Sequence, residues 1–166
     1  MIHSFEGEHY QKVDRKGRMS VPADFRRELA LGDADAEVRG TVRMKIVYGQ
    51  HLKEHVAVYP MDEYQRIVED IYAMPRSKAR DQKRLSQLFV TKSLTIEADK
   101  DGRVILNKTI RDKLGIEEGE IYFRGGVGNF EMWNAEHFRE TVEADIDEWL
   151  DEQDEDFDPL ELLGGE

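Results

Sequence analysis

One ten-residue pattern occurs twice in this chain, and that duplication limits the possible folds more than any other feature. Val13-Asp14-Arg15-Lys16-Gly17-Arg18-Met19-Ser20-Val21-Pro22 is echoed 85 positions later by Ala98-Asp99-Lys100-Asp101-Gly102-Arg103-Val104-Ile105-Leu106-Asn107. Asp14 matches Asp99, Gly17 matches Gly102 and Arg18 matches Arg103. The match continues through Phe25-Arg26 against Ile110-Arg111 and Leu29 against Leu114. Further on, Val58-Tyr59-Pro60-Met61-Asp62-Glu63-Tyr64 resembles Met132-Trp133-Asn134-Ala135-Glu136-His137-Phe138, at an offset of 74. One supersecondary unit therefore appears twice, with 11 extra residues in the middle of the first copy. Two copies in one chain predict a pseudo-twofold module that would otherwise need two subunits.

The charge is distributed unevenly. The chain of 166 residues has a formal net charge of −12, but residues 136–166 hold 14 acidic residues against Arg139 alone. The first 135 residues carry 23 basic and 22 acidic side chains, so the body of the protein is compatible with a polyanionic partner. At 39% hydrophobic and 36% charged, the sequence predicts a modest core and association to bury more apolar surface. The length fits one domain or two small interlocked ones. Without cysteine there is no disulfide, thiol nucleophile or thiolate metal site. The start, Met1-Ile2-His3-Ser4-Phe5-Glu6-Gly7, lacks the basic-then-apolar order of a signal peptide. No stretch reaches the roughly 20 apolar residues of a membrane span. A soluble cytoplasmic protein is the expectation.

Within each copy the order of elements is legible. Residues 6–13 read as a strand, 14–17 as a turn, and Arg18-Met19-Ser20-Val21 alternates like a half-buried strand. Pro22 suits the first turn of a helix carrying Phe25 and Leu29 on one face, stopped by Gly32. Strands are expected near 41–48 and 55–59, then a helix from Pro60 with Tyr64, Ile67, Val68 and Ile71 at helical spacing. A basic helix over 75–90, with Arg76, Lys78, Arg80, Lys83 and Arg84, links the copies. The second copy gives strands 92–97 and 103–106, helix 107–114, and strands near 120–124 and 129–133 around Gly125-Gly126-Val127-Gly128. One amphipathic helix through Phe138, Val142, Ile146, Trp149 and Leu150 follows. From about Asp151 the chain is acidic enough to be expected mobile.

The turns carry the chemistry. An Asp side chain accepts hydrogen bonds from backbone N–H groups two positions on, and Gly supplies a positive φ, so Asp14, Gly17, Asp99 and Gly102 shape the backbone whatever else the turns do. Arg15, Lys16 and Arg18 give the first turn three cations against Asp14, while Lys100 and Arg103 balance Asp99 and Asp101 in the second. A net-positive β-turn can probe phosphates or guanine edges, since a two-stranded ribbon fits the major groove.

These residues resemble a known family. Asp14-Arg15-Lys16-Gly17-Arg18-Met19-Ser20-Val21-Pro22-Ala23-Asp24-Phe25-Arg26 is similar to the signature of the MraZ transcriptional regulators. The second copy agrees through Asp99, Gly102-Arg103-Val104, Leu106, Ile110-Arg111 and Phe130-Glu131-Met132-Trp133. The resemblance spans about residues 4–140. It implies an α+β fold, a pseudo-dimeric double-psi, swapped-hairpin β-barrel of two AbrB-like repeats with flanking helices. The expected organisation is a first repeat at 5–64, a basic helical linker at 65–90, a second repeat at 91–138, and an amphipathic helix with acidic tail at 139–166. The resemblance further implies ring-shaped homo-oligomers that bind double-stranded DNA at direct repeats in the promoter of the division and cell-wall gene cluster, usually repressing it. It puts DNA contact on Lys16 and Arg18, with Arg103 at the equivalent place. Arg15 and Lys100 join them by charge. No cofactor, metal, membrane or small-molecule substrate is expected, and the protein would be cytoplasmic and nucleoid-associated. Asn107 replaces the proline of copy one and is a good helix N-cap.

Other chemistries fit less well. His51 and His55 are four apart, but without a third ligand or the spacing of a zinc helix they read as a solvated turn. Glu97, Asp99, Asp101 and Gly102 imitate the start of a calcium loop, but Lys108 stands where a bidentate Glu is needed. Gly125-Gly126-Val127-Gly128 lacks the Lys-Ser/Thr of a nucleotide loop and reads as a hairpin turn. His3, His9, His51, His55 and His137 form no recognisable catalytic set, so an enzyme is not expected. Two rival readings remain: an AbrB-type antitoxin-like DNA-binding protein whose acidic C-terminus covers a basic partner, and an interaction protein that binds no DNA.

Overall fold

Strand, turn, strand, helix, strand, strand, helix: this order occurs twice along the chain, in a computed structural model that describes residues 1–164. In the first copy β1 spans Glu8–Val13, β2 Arg18–Ser20, α1 Ala23–Leu31, β3 Val42–Val47, β4 His55–Pro60 and α3 Met61–Tyr72. A short helix α2, Ala36–Arg39, lies between α1 and β3. In the second copy β5 spans Ser93–Ala98, β6 Arg103–Ile105, α5 Lys108–Leu114, β7 Gly119–Arg124, β8 Phe130–Asn134 and α6 Ala135–Thr141. The linker carries α4, Ala79–Ser86. Two units are distinguished, Met1–Ala135 and the chain from Glu136 onward.

The copies exchange strands. A six-stranded antiparallel sheet runs β1-β7-β8-β4-β3-β5, so β1 of the first copy pairs with β7 of the second, and β5 of the second with β3 of the first. β4 and β8 meet at the centre. β2 and β6 form a separate antiparallel ribbon, pairing Arg18 with Ile105, Met19 with Val104 and Ser20 with Arg103. The expectation of a β-barrel needs correction. The pairings leave β1 and β5 as the sheet's edges among the described residues, because the three-residue strands β2 and β6 pair only with each other. The fold is α+β with an open antiparallel sheet.

Equivalent residues of both copies fill one core. Met19 and Val104, Val21 and Leu106, Phe25 and Ile110, and Leu29 and Leu114 are all buried. Phe5, Phe25 and Phe130 pack ring against ring, with centroids 4.8–5.4 Å apart. Each such side chain contributes roughly 1.5–3 kcal/mol by leaving water. The segment around Phe5 is strapped to the β7–β8 turn. Phe5 N donates to Gly126 O, Gly125 N to Gly7 O and Gly128 N to His3 O, at 2.8–3.0 Å. Buried His3 accepts or donates between Glu28 at 3.1 Å and Asp62 at 2.8 Å, which ties the strap to α1 and α3.

The first copy's additional residues fall in two places: the α2 segment and the loop between β3 and β4. Buried Asp33 holds the former, accepting from Arg43 N at 2.9 Å and from the Arg39 and Arg43 guanidinium groups. Burial pushes the Asp33 carboxyl up, but these hydrogen bonds hold it below its usual value overall.

Two helices differ from their sequence reading. The linker is not one helix over 75–90. A 3₁₀ turn, Arg76–Lys78, precedes α4, and a π-helical turn, Gln87–Thr91, follows it. Side chains outside the helix capture its last carbonyls: Tyr64 Oη donates to Phe89 O and Ser93 Oγ to Val90 O, each at 2.9 Å. The C-terminal helix is also divided, into α6 and α7, Asp145–Asp151. Thr141 Oγ1 turns back to His137 O at 2.7 Å, and Glu143 N bonds Phe138 O five residues back. Ile146 and Leu150, placed on an apolar face by sequence, are exposed. Beyond Asp151 the chain turns so that Phe157 meets Trp149 edge to face at 5.6 Å, and a 3₁₀ helix spans Pro159–Gly164.

Candidate nucleic-acid interface

The ribbon of β2 and β6 is a two-faced structure set by strand alternation. Met19 and Val104 point into the core, so Arg18, Ser20, Arg103 and Ile105 form the outer face. Because the strands are antiparallel, the two turns leave from opposite ends of the ribbon, Asp14–Gly17 beside Arg18 and Asp99–Gly102 beside Arg103. Shallow grooves flank it. Arg18 and Arg103 line both, one with Tyr10 and Lys12 and the other with Thr41 and Ile105.

The turns share one backbone design. Asp14 Oδ1 accepts from Lys16 N and Arg18 N, both at 2.9 Å. Asp99 Oδ1 accepts from Asp101 N and Arg103 N, also at 2.9 Å. Both carboxyls are held below their usual value, chiefly by the backbone N–H of Arg18 and of Arg103 respectively. Gly17 and Gly102 have φ of +84° and +80°. Each turn is then locked by the other copy: Leu106 N donates to Gly17 O at 2.7 Å and Val21 N to Gly102 O at 2.8 Å. A Cβ on Gly17 would lie 2.2 Å from Leu106 O.

Two residues that the sequence reading gave no role complete the lock. Arg111 Nη1 donates to Arg15 O at 2.9 Å while its Nε donates to Leu106 O at 3.1 Å. Its counterpart Arg26 donates from Nη1 to Lys100 O at 3.3 Å. Arg15 and Lys100 are themselves equivalent, so the helix of each copy clasps the turn of the other. The signal was present in the sequence: Arg26 and Arg111 keep the same 85-residue offset as the turns. Asn107 caps α5, its side chain accepting from Ile110 N at 3.1 Å.

The cations differ in availability. Arg15 Nε pairs with Glu118 at 3.0 Å, and that carboxylate raises the guanidinium's pKa. Arg18 Nε pairs with Asp14 at 2.6 Å, leaving the rest of its guanidinium at a side chain 63% exposed. Lys16, Lys100 and Arg103 have exposed side chains with no ion pair among the described residues. The proposed contacts Arg15, Lys16, Arg18, Lys100 and Arg103 thus sit along the ribbon and its two ends.

The remaining motifs have other roles. His55 lies in β4, stacked on Trp133 with centroids 4.0 Å apart, and reaches Glu131 at 3.5 Å. His51 packs its ring near Phe89. No group of three or more metal-ligating side chains occurs among the described residues. No described helix is long and apolar enough to cross a membrane.

Comparison with known proteins identifies relatives of this chain. The family model described as "MraZ protein, putative antitoxin-like" matches residues 4–86. The transcriptional regulator MraZ of Ruegeria pomeroyi is 36% identical over 165 residues, 99% of this chain and 98% of that protein. That of Cereibacter sphaeroides is 36% identical over 151 residues, covering 87% and 88%. That of Lactobacillus johnsonii is 30% identical over 158 residues, covering 95% and 99%. The chain therefore belongs to the MraZ family, whose relatives named here are transcriptional regulators.

Proposed function

We propose that the chain is a sequence-specific DNA-binding transcriptional repressor that places the β2–β6 ribbon and its two basic turns against duplex DNA. The observation carrying this reading is the outer face of Arg18, Ser20, Arg103 and Ile105, set between turns that present Lys16 and Lys100 with no ion pair among the described residues. A two-stranded ribbon fits the major groove, arginine reads guanine edges, and lysines at either end hold phosphates. The lock of each turn by the other copy fixes the backbone that carries these groups before DNA arrives, so no entropy is spent on ordering the turns themselves.

Residues 5–64 and 91–138 act in this proposal as two AbrB-type swapped-hairpin repeats, joined by 65–90 and followed by 139–166. Their exchange of β1 and β5 supports the pseudo-dimeric, swapped-hairpin reading. The target is a set of direct repeats in the promoter of the division and cell-wall gene cluster that includes the protein's own gene, and the site of action is the cytoplasmic nucleoid. A ribbon with so few cations binds a single repeat weakly, and the salt dependence steepens as more ribbons engage phosphates. A ring-shaped homo-oligomer presenting several ribbons makes later contacts intramolecular and raises avidity by roughly 10²–10⁴.

A gel-shift titration on the region upstream of the gene tests this. Wild type should retard a duplex with tandem repeats far better than one with a single repeat. Arg18→Ala should abolish the specific shift with the oligomer intact. Equal binding by the variant, or equal affinity for one repeat and several, would count against the reading and favour a protein partner.

A further inference from the structure

A second group of cations lies apart from the ribbon, around the loop between β3 and β4. Lys113 of α5 reaches this loop, its Nζ donating to Gly49 O at 3.1 Å. Lys92, just before β5, joins it through the backbone, Lys92 O accepting from Tyr48 N at 2.9 Å, with its ammonium 5.9 Å from the Tyr48 ring centre. Lys53 lies on the same loop, where Leu52 N donates to Gly49 O at 3.0 Å and Lys53 O meets His55 Nδ1 at 2.9 Å. The loop is closely packed at Gly49, where a Cβ would lie 2.6 Å from Leu88 O and 2.8 Å from His51 Nδ1.

No carboxylate forms an ion pair with Lys53, Lys92 or Lys113 among the described residues. The three ammonium groups repel one another. Burial lowers the Lys113 pKa first, and Lys53 and Lys92 lower it further. Like charges gathered around one loop, with no ion pair to any of the three lysines among the described residues, destabilise the free protein, and a bound anion relieves that repulsion. Arg111, two residues before Lys113 on α5, holds Arg15 O at 2.9 Å from another face of the helix, so α5 lies between the first turn and the lysines.

We propose that Lys53, Lys92 and Lys113 form a second phosphate site, which holds the DNA backbone outside the segment met by the ribbon. This rests on the DNA-binding reading above. The ligand is a phosphodiester, because three ammonium groups offer point charges without the fork geometry that reads a base.

The test uses the full-length protein and the double variant K53Q/K92Q, which leaves the half-buried Lys113 in place. Affinity is measured against salt on duplexes that extend well beyond the repeats. Two fewer phosphate contacts should lower the slope of log K against log salt by about 2. Discrimination between the repeat and a scrambled duplex should stay as in wild type. The melting temperature should be equal or higher, since like-charge repulsion is reduced. An unchanged slope with wild-type binding intact would overturn the proposal alone, as would a loss of discrimination. Inorganic pyrophosphate that shifts the His51 ring resonances in wild type, with no change of slope in the variant, would assign the site to small phosphates and overturn the backbone role. Failure of wild type to bind any duplex would remove the DNA reading and this proposal together.

Discussion

The two turns of this protein share a backbone and differ in electrostatics. Each is built on an Asp accepting two N–H bonds at 2.9 Å, a glycine with φ near +80°, and a lock from the opposite copy. By sequence the first turn is the more positive. In the folded protein two of its three cations are engaged, Arg15 by Glu118 and Arg18 by Asp14, whereas Lys100 and Arg103 form no ion pair among the described residues. The cause lies in the neighbouring strand. Val13 pairs with Gly119, preceded by Glu118, while Ala98 pairs with Val42, preceded by Thr41. Local chemistry copies the turn, and the swapped partner decides how much of its charge is free.

The largest expected difference between the turns is steric. Gly17→Ala meets the Leu106 carbonyl at 2.2 Å in a left-handed conformation and should cost about 3 kcal/mol or more. Gly102→Ala meets the movable tip of Arg26 at 2.6 Å and should cost about 1–2 kcal/mol. Urea denaturation of both variants checks this, and equal losses would break the comparison. The clasps come next. Arg111 serves two carbonyls and Arg26 one, so Arg111→Ala should cost about 2 kcal/mol and Arg26→Ala under about 1 kcal/mol in the same assay.

Smaller effects concern charge. Glu118→Gln releases Arg15 and should tighten DNA binding about threefold, a small change because the pair is exposed. Thr41→Glu should weaken it similarly by giving the second turn the counterion it lacks. Fluorescence anisotropy at fixed salt reads both. The smallest effect is on acid stability. The Asp14 and Asp99 pKa values are depressed in the fold, so their stabilisation is full above the model-peptide value near 4 and is lost as pH falls through the lower folded values. Asp14→Asn and Asp99→Asn should each flatten the fall of stability below pH about 4, measured by circular dichroism.

Much of this architecture is legible in the sequence because it depends on short range. The Asx turns, their glycines, the helix from Pro22 and the Asn107 cap each involve residues within four positions. The clasps were visible only as matched arginines, since their acceptors lie 74 and 96 positions away. Neutralisation of Arg15 depends on Glu118, 103 positions on, which only the strand exchange brings near. The break in the linker helix was hidden for a related reason. Tyr64 and Ser93 end the linker helix from outside it, and periodicity does not register such competitors.

In the proposed complex both turns meet DNA although their charges are differently engaged. The most direct measurement is the salt dependence of affinity for the upstream repeats, compared among wild type, Lys16→Ala/Arg18→Ala and Lys100→Ala/Arg103→Ala. Both double variants should lose affinity, each with a slope reduced by about 2. Wild-type affinity and slope in Lys100→Ala/Arg103→Ala would contradict it, leaving the second turn a structural copy of the first.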